Sequence, residues 1–231
     1  MIQAIFFDFN GVIIDDEPLQ CKAFQEVFAP YGVPLSEAQY YGALGMDDRA
    51  FVQAAFERAG KELTIQMRRA VSQAKLEIHR RLMTDKLPLF PRIETFLKAA
   101  SRSFSLGIVS MASREEIRYV FERARLGPLF SVVVSAEDVS LCKPAPDCYD
   151  RALERLNEKR LKARLLPLQP GECLVVEDSP PGIQSGRSAG MRTLGVTNTV
   201  SEAELRAAGA EVVTKDLSDW NVEAVRHVFE A

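Results

Sequence analysis

The chain has 231 residues, 47% of them hydrophobic, with a net charge of −3 and a pI of about 5.6. That length and apolar share suit one large domain, or a core with a smaller cap. Mild acidity without any basic block argues against nucleic acid as a main partner, and no apolar stretch reaches membrane length.

The first apolar run, Ala4–Phe9, predicts a strand that ends in Asp8-Phe9-Asn10-Gly11. A carboxylate leaving a buried strand directly into a Gly turn is unusual, because Asp is depleted in strands. From Asp16 to Lys86 the patterns are helical only, over 17–30, 36–44, 47–59 and 64–83. Roughly seventy residues exceed a normal crossover, so this stretch reads as an inserted helical cap. Leu87-Pro88-Leu89-Phe90-Pro91 marks the return, which divides the chain into a core (1–15 and 87–231) and a cap (16–86).

Further strands are predicted at Ser105–Ser110, Val132–Ser135, Cys173–Glu177, Thr193–Val196 and Glu211–Val213. Ser113-Arg114-Glu115-Glu116 is a capping box that opens a helix, with Ile117, Val120, Phe121 and Ala124 on one face. Ser179, Pro180 and Gly190 bracket another helix. Strands alternating with helices predict an α/β fold, a Rossmann-like parallel-sheet core carrying the α-helical cap. The Lys-, Arg- and Pro-rich stretch 157–171 shows no sustained periodicity and reads as a surface loop, with a docking segment as the alternative. Cys21, Cys142, Cys148 and Cys173 form no C-x-x-C pair, and no charged, cleavable leader is visible, so a reduced cytoplasmic chain is expected. His79 and His227 are the only histidines and both fall in helical patterns, which disfavours His-rich metal sites and Ser-His-Asp triads.

Reactive groups close four of these segments. Asp8 ends strand one and Ser110 ends strand two. Lys143 follows strand three, and Glu177-Asp178 ends strand four. In one parallel sheet these ends share an edge, where open α/β sheets place their sites. Asp8 and Asp178 are hard oxygen ligands suited to Mg²⁺, with Glu177 beside them and the Asn10 carbonyl able to complete the set. Lys143 and Ser110 suit phosphate oxygens, and Asp8 is placed to attack phosphorus. Each element alone is common in solvated turns and caps; the ordered set of four is not.

At these residues the chain resembles the haloacid dehalogenase superfamily, in its β-phosphoglucomutase and phosphoglycolate phosphatase subgroup with a helical cap. The matching segments are Phe7 to Ile13, Val109-Ser110, Lys143 to Asp147 and Val176 to Ser179, with Asp15-Asp16-Glu17-Pro18 resembling the entry into the cap. The resemblance implies a Rossmann-like core and a Mg²⁺-dependent enzyme acting on a small phosphorylated metabolite. It makes Asp8 the nucleophile and a metal ligand. Ser110 and Lys143 become the phosphate-binding groups, and Glu177 and Asp178 the acidic pair on the metal side. It also places the linker Gly45-Met46-Asp47-Asp48-Arg49 facing the active site. Gly45, Met46 and Arg49 are then candidate substrate contacts, together with Ala112 and Ser113. Asp16, Glu17 and Lys75 are further candidates, although Arg49 and Lys75 also read as solvated helix charges. A monomer without membrane attachment is expected.

One position departs from the family. Its phosphatases and mutases carry Asp two residues after the nucleophile, and here that residue is Asn10. An amide keeps its backbone carbonyl for a metal but cannot exchange a proton, and loss of a general acid–base typically lowers rates about 10²–10⁴-fold. Four explanations stand side by side: an enzyme using water or another acid, a phosphate-binding relative with vestigial activity, an acid removed by design to trap a complex, and deamidation at Asn10-Gly11. A phosphatase is the favoured reading and a phosphomutase the alternative. The mutase reading is weakened by Asn10 and by the lack of His in Pro18-Leu19-Gln20.

Overall fold

The computed structural model describes residues 1–229. Six strands form one fully parallel sheet: β1 (Ala4–Phe7), β2 (Ser105–Val109), β3 (Val132–Val134), β4 (Cys173–Glu177), β5 (Arg192–Val196) and β6 (Val212–Thr214). Their order is β3-β2-β1-β4-β5-β6. The chain leaves β1 toward β2 on one side and later returns to β4 on the other. This makes the β1/β4 boundary the switch point, where a crevice opens at the strand C-termini. Phe7 pairs with Val176 and with Ile108, so Asp8 emerges level with Glu177 and one step beyond the β2 pairing.

Side chains alternate across the sheet and fill two layers. Ile5 and Phe7 join a cluster with α5 (Ile93–Ala100), α6 (Arg114–Ala124) and α10 (Val222–Phe229). Ala4 and Phe6 pack on the opposite face against Tyr149, Ala152 and Leu156 of α7 (Asp147–Lys162). The helices α8 (Pro180–Ser188) and α9 (Glu202–Ala208) meet through Ile183 and Leu205.

Between β1 and β2 lie α1 (Glu17–Phe28), α2 (Glu37–Tyr41), α3 (Asp48–Arg58) and α4 (Ile65–Leu82), with no strand among them. They bury a core of their own, built on Phe24, Phe28, Phe51 and Phe56. Ser36, Asp47 and Thr64 each accept a backbone N–H at the start of α2, α3 and α4, so side-chain caps set these boundaries.

Two expectations change. The first strand stops at Phe7, because Phe9 leaves the sheet to fill the core from the loop. Of the stretch 157–171, residues 157–162 complete α7, with Leu153 and Leu156 on its buried face. The part beyond is tied down: the Asn157 amide donates to Leu168 O at 3.0 Å and its carbonyl accepts from Leu168 N at 2.7 Å. No described helix is long and apolar enough to cross a membrane.

Candidate active site

Asp8 is presented by β1 into the switch-point crevice, and its carboxylate accepts from Lys143 Nζ at 2.9 Å. The same ammonium donates to Glu177 Oε1 at 2.5 Å and to Val109 O at 3.1 Å, and it lies 5.4 Å from the centre of the Tyr149 ring. Asp8, Glu177 and Asp178 offer oxygens that all lie within 4.8 Å of one another. Ser110, buried at the end of β2, accepts from the Ala112 N–H at 3.1 Å. That contact shapes the turn after β2 and leaves Ser110 and Ala112 lining the same cleft as Asp8, Lys143 and Asp178.

Glycines make the crowding possible. At Gly11 a β-carbon would sit 1.9 Å from Asp178 Oδ2, and at Gly182 one would sit 1.9 Å from the Glu177 carboxylate carbon. Gly11 also has a φ of +72°, which L side chains rarely adopt.

Electrostatically the site carries an excess of negative charge. Burial pushes Asp8 up to about 6, even against the neighbouring ammonium. Burial, then Asp8 and Glu177, holds Asp178 well above the usual carboxylate range. Burial alone would lower Lys143, but Asp8 and Glu177 keep it firmly charged. Asp178 Oδ2 is buried and has no hydrogen-bond donor. An orphaned carboxylate oxygen beside two further carboxylates fits a hard divalent cation, which would supply the missing positive charge. The two oxygens of Glu177 are otherwise engaged: Lys143 and the Tyr149 hydroxyl donate to Oε1, and the Ser179 hydroxyl and Asp178 N–H donate to Oε2. Glu177 therefore braces Lys143, and the free ligand atoms belong to Asp8 and Asp178.

Asn10 lines the cleft, and its amide nitrogen donates to both oxygens of Asp16 at 2.9 Å. Asp16 is fully buried. It also accepts from Gln20 Nε2 at 3.2 Å, and His79 Nε2 lies 2.9 Å away. Asp16, expected among the substrate contacts, instead sits behind Asn10 and fixes its amide.

The remaining candidates divide. Gly45, Met46, Glu17 and Lys75 line the cleft, as Ala112 does. Gly45 (φ +89°) packs so closely that a β-carbon would meet Pro181 at 2.7 Å, which sets the α2–α3 linker down on the core. Arg49 and Ser113 do not line this cleft. Arg49 turns to Asp47 at 2.8 Å, and Ser113 caps α6 by accepting the Glu116 N–H; both line a neighbouring cleft with Arg68 and Arg69. Lys75 is not a solvated charge. It is buried, and pairs with Asp48 at 2.9 Å and Glu116 at 2.6 Å. Burial would raise Glu116, but Lys75 holds it down to about 2. Asp48, in the linker expected to face the site, also lines the cleft, and so do Tyr40 and Glu116, which were not expected there. Tyr40 donates to Glu17 at 2.5 Å, and burial followed by Asp16 pushes Glu17 up to about 8.

The pattern describing haloacid dehalogenase-like hydrolases matches residues 5–196. The chain belongs to this family. A phosphorylated carbohydrates phosphatase of Thermotoga maritima is 27% identical over 227 residues, covering 96% of this chain and 98% of that protein. The fructose-1-phosphate phosphatase YqaB of Escherichia coli is 28% identical over 193 residues, covering 83% of this chain and 95% of its own length. A β-phosphoglucomutase from Clostridium difficile superposes with a TM-score of 0.85 at 20% identity, covering 100% of this chain and 98% of that one. This family member is thus a hydrolase whose named relatives are phosphatases, with the parallel α/β core expected from its sequence.

Proposed function

We propose that the protein is a Mg²⁺-dependent phosphatase of small phosphorylated metabolites, working through an aspartyl-phosphate on Asp8. The observation that carries this reading is the convergence of Asp8, Lys143 and the unpartnered Asp178 oxygen at one sheet edge. The named activities of the Thermotoga and Escherichia relatives, on phosphorylated carbohydrates and fructose-1-phosphate, support the substrate class.

Asp8 and Asp178, with the backbone carbonyl of Asn10, would hold Mg²⁺. When bound it supplies charge neutralisation and polarisation of the phosphoryl oxygens. Lys143 and Ser110 orient the phosphate. An Asp8 oxygen attacks phosphorus, the bond to the leaving oxygen breaks, and that oxygen takes a proton from solvent, because Asn10 has none to give. Water then attacks the same phosphorus, which releases inorganic phosphate and restores the Asp8 carboxylate. Turnover is consequently slow for poor leaving groups. The test is phosphate release from a panel of sugar phosphates. EDTA is expected to lower it at least about hundredfold and added Mg²⁺ to restore it; an equal rate in EDTA ends the reading.

The grip of Asp16 on Asn10 favours a second reading, a phosphate-binding relative with vestigial chemistry. A paired substitution separates the two. Asn10→Asp alone sets two buried carboxyl groups against each other where an amide now donates, so a stability loss of about 1–3 kcal/mol is expected. Adding Asp16→Asn restores a donor–acceptor match with reversed polarity. This double variant is expected to melt near the wild-type temperature and to gain at least about tenfold in kcat. A double variant that binds phosphate but gains no turnover supports the vestigial reading.

A further inference from the structure

Resting on the phosphatase reading, the cap end of the cleft carries information about what the leaving group can be. That end is lined by Glu17, Gln20, Tyr40, Asp48, Lys75 and Glu116. It holds three carboxyl groups and one ammonium. The ammonium, Lys75 Nζ, is already shared between Asp48 Oδ2 at 2.9 Å and Glu116 Oε1 at 2.6 Å, and is stacked 4.9 Å from the Phe24 ring centre. The other lining cation, Lys143, belongs to Asp8 and Glu177. Arg49 points at Asp47, outside the cleft. Among the described lining residues no positive charge is left to meet a second anion. The groups that are present accept and donate hydrogen bonds: the Glu17 carboxyl held by the Tyr40 hydroxyl, and the Gln20 amide, whose Oε1 is buried without a donor. Phe24 and Phe51, with ring centres 4.6 Å apart, give an apolar wall for C–H faces.

We propose that this pocket selects phosphate monoesters whose leaving group is an uncharged polyol, and rejects substrates that carry a second phosphate or a carboxylate at the far end. A second anion there would face Asp48 and Glu116 in a partly desolvated space, where like charges repel strongly and Lys75, already paired with both, offers no unmatched positive charge. Lys75 acts here as a specificity-determining residue because its charge is already matched.

The experiment compares kcat/KM with Mg²⁺ for probes matched in size: glycerol phosphate against phosphoglycerate, and a hexose monophosphate against its bisphosphate. The member of each pair without a second anion is expected to be favoured at least about hundredfold. Asp48→Asn releases part of Lys75 and is expected to narrow the gap at least about tenfold. Glu116→Gln serves the same purpose if Asp48→Asn does not fold, as judged by its melting temperature. Phosphatase activity with no preference between the pair members overturns the proposal, and so does a gap unmoved in a folded variant. If no probe is hydrolysed, or if Asp8→Ala hydrolyses them at the wild-type rate, the phosphatase reading itself fails and this proposal falls with it.

Discussion

Replacing Asp8 by asparagine is expected to lower kcat/KM at least about 10⁴-fold, a loss of about 5 kcal/mol of transition-state stabilisation. The Asp8→Asn side chain keeps the size and the carbonyl of the aspartate but not the oxygen proposed to attack phosphorus, so the proposed covalent step would have no substitute. The fold is expected to survive. Burial pushes Asp8 up to about 6, which means that its charge is tolerated in the folded protein rather than favoured by it. An uncharged isostere removes that strain. Lys143 keeps Glu177 and Val109 O as acceptors. A melting temperature at or above wild type, with turnover gone, is the predicted pair of results. Turnover within tenfold of wild type would remove Asp8 from the chemistry.

Much of this site is legible in the sequence for a physical reason. Asp8, Ser110 and Glu177-Asp178 are polar groups that close short apolar runs, and such breaks stand out against buried strands. Parallel pairing then carries them to one edge, as the registers Phe7 with Val176 and Phe7 with Ile108 require. Buried charge on the helices is harder to see. Lys75 sits among Arg, Gln and Glu residues on α4 and looks like one more solvated side chain. Its burial depends on Glu116, which is 41 positions away and already has a local role at the start of α6. Asp16 is similar, since the sequence shows an acid at the cap entry but not that Asn10, Gln20 and His79 close around it. Arg49 shows the opposite error: a linker cation near the site is drawn off by Asp47, two residues earlier. The helix over 157–162 is masked by composition, because Lys and Arg dominate its exposed face while its apolar contacts lie further back, at Leu153 and Leu156. In each case the deciding partner is remote, or is a neighbour competing for the same charge.

Lys143 gives the second large effect, and it separates chemistry from structure. Its ammonium is buried among Asp8, Glu177 and Val109 O, and among the described residues it is the only cation facing the acidic cluster. Lys143→Met leaves those carboxylates uncompensated, and breaking a buried pair in this way typically destabilises by about 3–5 kcal/mol. Turnover is expected to fall about 10³-fold as well, because no fixed charge then orients the nucleophile and the transferring phosphoryl group. The two losses need not share a cause. Adding Glu177→Gln removes the buried charge that Lys143 neutralised, while the one amide oxygen at that position can still accept from the Tyr149 hydroxyl. The double variant is expected to regain at least half of the lost stability, measured by denaturant melts, with kcat/KM remaining about 10³-fold down. Mg²⁺ protection against unfolding should persist in it, since Asp8 and Asp178 are untouched. Recovery of activity together with stability would make Lys143 a structural counter-charge only, with phosphate orientation left to Ser110 and the backbone amides after β2.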